Sequence, residues 1–161
     1  MSKKVIISFI FLIYFKAYSQ EIKSLDNISD VSDLLEQSRG KVTLINFWAT
    51  WCKPCVKEFP DLIKLYSEYK DKGFHIIFIS LDVPEDIETK VRTFLKKNNV
   101  DFITYYNNFR NPEEIINYID EKWTGAIPAT YIYNRDGLLV TSIVGSLKYE
   151  QFEKELLKIL D

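Results

Sequence analysis

The chain contains two cysteines, three positions apart in the run Phe47-Trp48-Ala49-Thr50-Trp51-Cys52-Lys53-Pro54-Cys55, and the flanking sequence on each side has opposite character. Before the pair, Val42 to Trp48 is a nearly unbroken apolar stretch of strand length, the composition of a central strand covered on both faces. After it, Lys53 to Lys72 carries Val56, Phe59, Leu62, Ile63, Tyr66 and Tyr69 at the spacing of an amphipathic helix, with Gly73 as its stop. The pair is therefore expected at a strand-to-helix turn, which ties the chain to a layered α/β arrangement. Pro60 lies inside the helical stretch and predicts a kink, because its ring clashes with the Val56 carbonyl and it has no N–H to donate.

A thiol at a helix start sits against unpaired backbone N–H groups and the positive end of the helix dipole. Both favour thiolate over thiol, and this makes Cys52 a nucleophile near neutral pH. The alternative, a structural disulfide, is disfavoured by spacing. Two intervening residues close so short a loop that the bridge constrains the unfolded chain little, and such a pair serves better as a redox switch than as a staple. Metal binding would need further ligands, and the chain's one histidine, His75, lies far along the sequence on an expected strand.

The remaining pattern alternates. A helix is expected over Ser29 to Ser38 and a strand over His75 to Leu81. The loop Asp82-Val83-Pro84-Glu85-Asp86 leads to a helix over Ile87 to Asn98, and a further strand covers about Phe102 to Tyr105. Asn111-Pro112-Glu113-Glu114 reads as a capped helix start, with the helix running to about Trp123. Gly125-Ala126-Ile127-Pro128 leads into a strand at Ala129 to Tyr133, Asn134-Arg135-Asp136-Gly137 is a turn, and Leu138 to Val144 returns as the hairpin partner. A last helix places Tyr149, Phe152, Leu156, Leu157 and Leu160 on one face. The expected fold class is α/β, a three-layer sandwich with a central mixed sheet and helices on both faces.

With 161 residues and 47% hydrophobic content, the chain can build one full core and is too short for two comfortable ones. Its formal charge of −2 gives phosphate-backbone binding no electrostatic support, so nucleic acid is not an expected partner. Lys3 and Lys4 precede an apolar run from Val5 to Phe15, followed by Lys16-Ala17-Tyr18-Ser19-Gln20, the layout of a secretory signal with an Ala-x-Ser cleavage site. The expected division is a signal peptide over 1–19 and one domain over 20–161. Cleavage removes three lysines and no acid, taking the formal charge from −2 to −5. The rival is a retained N-terminal anchor in the inner membrane, against which the run is short of the roughly 18 to 20 residues that span a bilayer.

Taken together, Trp51-Cys52-Lys53-Pro54-Cys55, Glu58-Phe59-Pro60 and Gly125-Ala126-Ile127-Pro128-Ala129-Thr130, with Asp136-Gly137 in the hairpin, resemble the thioredoxin superfamily and more closely the exported TlpA/ResA-type thiol-disulfide oxidoreductases. The resemblance covers about Leu25 to Leu160 and implies a thioredoxin-like fold in which Ile87 to Tyr105 is an inserted α-β element. It implies that Cys52 is the attacking thiol, Cys55 the resolving thiol and Pro128 a cis proline beside the dithiol, with Ile127 offering its backbone to the substrate as an added strand. Trp51 and Pro54, beside the nucleophile, join Ile127 as substrate-binding candidates, while Trp48 is expected in the core.

One departure stands out. Thioredoxin itself has a buried Asp six residues before the first Cys, and here that position is Asn46, which cannot take a proton. Glu58 matches the acid that the exported reductases carry three residues after the second Cys, and as a carboxylate there it could accept the Cys55 proton. Without the resemblance, the favoured reading of Glu58 is a solvated helix residue paired with Lys53, Lys57 or Lys64, and with it the favoured reading is a buried acid.

The expected protein is a monomer that needs no cofactor and reduces disulfides of protein substrates, and the resemblance implies a membrane thiol transporter as electron donor, with apocytochrome c as one candidate substrate. The rivals are an oxidase or isomerase on the same fold, and, from another class, a chaperone module or one holding a soft metal ion.

Overall fold

The computed structural model describes residues 20–160, so the expected signal peptide over 1–19 lies outside the described residues. The elements run β1 Ile22–Leu25, α1 Ile28–Gln37, β2 Val42–Trp48, α2 Lys53–Tyr69, β3 Phe74–Ser80, α3 Pro84–Asp86, a π-helical segment Ile87–Val91, α4 Arg92–Lys97, β4 Thr104–Asn107, α5 Pro112–Ile119, β5 Ala129–Tyr133, β6 Leu139–Val144 and α6 Tyr149–Leu160. The strands form one six-stranded sheet in the order β1-β4-β3-β2-β5-β6. Strand β2 lies in its interior, parallel to β3 and antiparallel to β5, and the sheet is therefore mixed.

The two faces of the sheet follow from the period-two alternation of strand side chains. On β2, Val42, Leu44 and Trp48 point toward one core, where they meet Phe59, Leu62 and Leu65 of α2, Leu95 of α4, and Phe152 and Leu156 of α6. Ile45 and Phe47 point the other way, against Val31 and Leu34 of α1 and Ile115 and Ile119 of α5. Helices cover both faces, which makes the architecture a thioredoxin-like three-layer sandwich. Phe59 is the pivot of the α2 side. Its ring stacks on Phe78 at 4.2 Å between centroids and meets Trp48 at 4.8 Å, and full burial of such a side chain contributes about 1.5–3 kcal/mol.

Three expectations need correction, and one strand had no expectation attached to it. The segment after Glu21 is a strand, β1, paired in parallel with β4 through Ile22↔Thr104 to Leu25↔Asn107. Its four residues are too few to show a period in the sequence, and the pairing with a distant strand is what makes it one. The helix expected over Ile87 to Asn98 is a composite of a short turn, a π-helical segment and α4, with Asn98 capping its end. The strand expected at about Phe102 to Tyr105 begins at Thr104 and ends at Asn107, where β1 supplies its partners.

The helix expected to reach Trp123 stops at Ile119. Asp120 there is extended and turns the chain, its Oδ1 accepting the Lys122 N–H at 2.9 Å and its carbonyl accepting the Trp123 N–H at 2.8 Å. Leaving the helix lets Trp123 bury its ring against Phe47, 4.6 Å between centroids. Helix α2, by contrast, runs continuously through Pro60.

Candidate active site

The site is assembled where the C-terminal end of β2 meets the start of α2. Cys52 is the N-cap residue of α2, in extended conformation, and its Sγ accepts the Cys55 N–H at 3.3 Å. Pro54 occupies the first turn, where its missing N–H leaves nothing unsatisfied. Cys52 and Cys55 are joined by a disulfide with their Cα atoms 5.3 Å apart, and both are buried. The sulfur of Cys52 lies 3.8 Å from the Ile127 carbonyl oxygen, a contact across from the loop that enters β5. The Ile127-Pro128 peptide bond is cis. That loop is itself held by Trp123, whose indole N–H donates to the Ala126 carbonyl at 2.8 Å.

Glu58 is one turn beyond Cys55 on α2, and its residue is 2% exposed. Asn46 shares the strand face of Leu44 and Trp48, and so its side chain reaches α2, where Nδ2 donates to Glu58 Oε1 at 3.1 Å and to Thr130 Oγ1 at 3.0 Å. The Leu147 N–H donates to Oε2 at 3.1 Å. Burial pushes the Glu58 carboxyl up to about 7, and Asp61 adds to this, while the hydrogen bonds from Leu147, Asn46 and Ser146 pull it back. The reading of Glu58 as a solvated partner of lysines does not hold: this carboxyl is buried among neutral donors. It borders a cleft of about 360 Å³ over Pro54, Asp61, Ser146 and Leu147.

Trp51 is 65% exposed, whereas Trp48 is in the core. Beside the cysteine turn, an open and mainly apolar cleft of about 560 Å³ is lined by Thr50, Trp51, Lys90, Thr93, Phe94 and Lys97. Trp51, Pro54 and Ile127 thus lie around the bonded pair but do not form one wall. His75 is half-buried on β3 with Lys41 nearby, and burial first and then that charge disfavour its imidazolium. Among the described residues no group of three or more His, Cys, Asp and Glu side chains is placed to hold a metal ion.

Sequence reasoning missed Asp82, which it placed in a loop. Its residue is 2% exposed and its carboxyl faces the cysteine turn. The Ser-x-Asp sequence, Ser80 to Asp82, allows a local side-chain bond to the acid, but the Thr50 donors that bury it come from 32 positions away and leave no signal in the sequence.

A sulfur pair at a helix N-terminus, opposed by the Ile127 carbonyl on a thioredoxin-like sheet, defines the class: a thiol-disulfide oxidoreductase. The chain belongs to the AhpC/TSA family, whose profile matches residues 16–142. It is 35% identical over 125 residues to the thiol-disulfide oxidoreductase ResA of Bacillus cereus (78% of this chain, 67% of that protein). It is also 32% identical over 139 residues to the thioredoxin-like protein YneN of Bacillus subtilis (83% and 74%). Among solved structures, a thiol:disulfide interchange protein of the thioredoxin family from Chlorobium tepidum superposes with a TM-score of 0.64 at 26% identity, covering 78% of this chain and 84% of that one.

Proposed function

We propose that this oxidoreductase is an exported reductase of protein disulfides. Cys52 thiolate attacks one sulfur of a substrate disulfide, the mixed disulfide forms, and the other substrate sulfur leaves as thiolate. Cys55 then gives its proton to Glu58 and attacks the Cys52 sulfur, closing the protein's own bridge and releasing the second substrate thiolate. The substrate gains two electrons and the dithiol loses two. The proton held on Glu58 passes to the departing thiolate, which the neighbouring cleft connects to solvent.

The observation that carries this reading is the buried Glu58 carboxyl one turn from Cys55, raised to about 7, so that it can take a proton and return it near neutral pH. The loop entering β5 supports the docking half of the mechanism: it brings the Ile127 carbonyl next to the Cys52 sulfur, where an extended substrate segment adds as a strand. Trp51 and Pro54 flank that position and contact the substrate.

Residues 1–19 act as a cleaved signal and 20–161 as the single thioredoxin-like domain. No helix among the described residues is long and apolar enough to cross a membrane. A membrane thiol transporter then re-reduces Cys52 and Cys55 in the periplasm, and apocytochrome c is a fitting substrate because its cysteines must be reduced to accept haem.

Trapping tests the assignment. Cys55→Ser accumulates covalent complexes with substrate proteins, because Cys52 attacks and nothing resolves the product, while Cys52→Ser accumulates none. Equal trapping by both variants overturns the roles of attacking and resolving thiol, and identifying the trapped partners decides whether apocytochrome c is among them.

A further inference from the structure

We propose that Asp82 is a positioning residue for the dithiol, holding the turn that carries Trp51 and Cys52 when the disulfide is open. The inference rests on Cys52 being the attacking thiol.

Asp82 follows the C-terminal end of β3, which runs parallel to β2, so its backbone lies beside the exit of β2 into the cysteine turn. The two exits are stitched together. The Leu81 N–H donates to the Trp48 carbonyl at 2.8 Å. The Thr50 N–H donates to Asp82 Oδ2 at 2.9 Å, and the Thr50 hydroxyl donates to Oδ1. The Ser80 hydroxyl donates to Oδ2 at 2.7 Å, and the Asp82 N–H donates to Ser80 Oγ at 3.0 Å, fixing the carboxyl from behind. Both carboxyl oxygens are committed as acceptors, and Thr50 is gripped by backbone and side chain together. The Cys52 N–H then donates to the Ala49 carbonyl at 3.2 Å, so that the turn from Ala49 to Cys52 hangs from one anchored residue. Lys90, on the segment leading into α4, has its ammonium bonded to Asp86 at 2.8 Å and feels the Asp82 charge only as a lesser influence.

Anchoring matters unequally in the two redox states. In the oxidised protein the bridge to Cys55 already fixes Cys52, whereas in the reduced protein the turn depends on Asp82. Without that anchor the reduced turn regains conformational freedom that closing the disulfide must remove again, and Cys52 meets Cys55 at a lower effective concentration. An Asp82 that merely stabilised the fold would stabilise oxidised and reduced forms equally, and by linkage the closure equilibrium would not move.

The experiment equilibrates the purified protein with glutathione, where closing Cys52–Cys55 consumes one glutathione disulfide and releases two glutathione thiols. For Asp82→Asn the closure constant falls about tenfold, the freedom of roughly one backbone residue. Thr50→Val moves it the same way and Thr50→Ser restores most of it, since serine keeps the hydroxyl donor. Thermal melting of both redox forms is measured alongside. An unchanged closure constant in Asp82→Asn and Thr50→Val, with melting lowered equally in both forms, overturns the proposal. If Asp82→Asn does not fold, the Thr50 pair decides alone. Failure of the underlying assignment is separate: it shows as absent trapping by Cys55→Ser in an otherwise unsubstituted protein.

Discussion

Glu58 carries the sharpest pH signature at the scale of single residues. Its carboxyl is raised from an ordinary 4.5 to about 7, so between those values the folded protein holds a proton that the unfolded chain has released. Stability is therefore fully expressed below about 4.5, falls as pH rises toward 7, and is level above. The difference corresponds to about 3 kcal/mol at an order of magnitude. Unfolding of the oxidised protein in urea at pH 4.5 and pH 8 measures this fall, and Glu58→Gln is expected to flatten it. The same variant slows dithiol exchange, since no carboxylate remains to take the Cys55 proton. A wild-type stability that stays level across this window would show that the carboxyl is ionised at its ordinary value.

Among the elements, the loop between α5 and β5 shows best how sequence pattern and structure diverge. Apolar spacing carries the helix to Trp123, yet Asp120 offers its own side chain and carbonyl to the following N–H groups, an alternative to continuing the helix. The released indole fills the space beside Phe47 and Tyr131 and fastens the Ala126 carbonyl two residues before Pro128. Trp123→Phe keeps most of the ring and removes that donor. It is expected to cost about 1 kcal/mol in denaturant unfolding and to slow exchange with protein disulfides, because the Ile127 carbonyl is less firmly held opposite Cys52. Unchanged stability and exchange would remove the indole from the support of this loop.

For the whole molecule, the disulfide joins a fold whose apolar cores are built mainly from other residues. Both faces of the sheet are sealed by separate apolar cores, and the bridged cysteines contribute to one of them as small buried side chains. Chain-entropy reasoning for so short a loop gives at most about 2 kcal/mol. A Cys52→Ser, Cys55→Ser double variant is accordingly expected to remain folded by circular dichroism, with unfolding free energy lowered by no more than that amount. Loss of the fold would make the bridge structural and contradict its use as a switch.

Sequence by itself determined what repeats along the chain or depends on neighbours. The apolar run of β2, the helical spacing of α2, the Asn-Pro start of α5 and the turn before β6 are local signals with local causes, and they suffice for the fold class. The Cys-x-x-Cys pair was legible for the same reason, as its chemistry follows from a helix start. Tertiary structure alone decided which charges are inside. Glu58 and Asp82 are both acids with no intrinsic preference for burial, and each is interior because a distant segment supplies donors: Asn46 and Leu147 for the first, Thr50 for the second. Strand β1 existed only once Thr104 to Asn107 came alongside. A hydrogen bond between residues a dozen or more positions apart has no period, and the free energy of burying a carboxyl depends on just those partners.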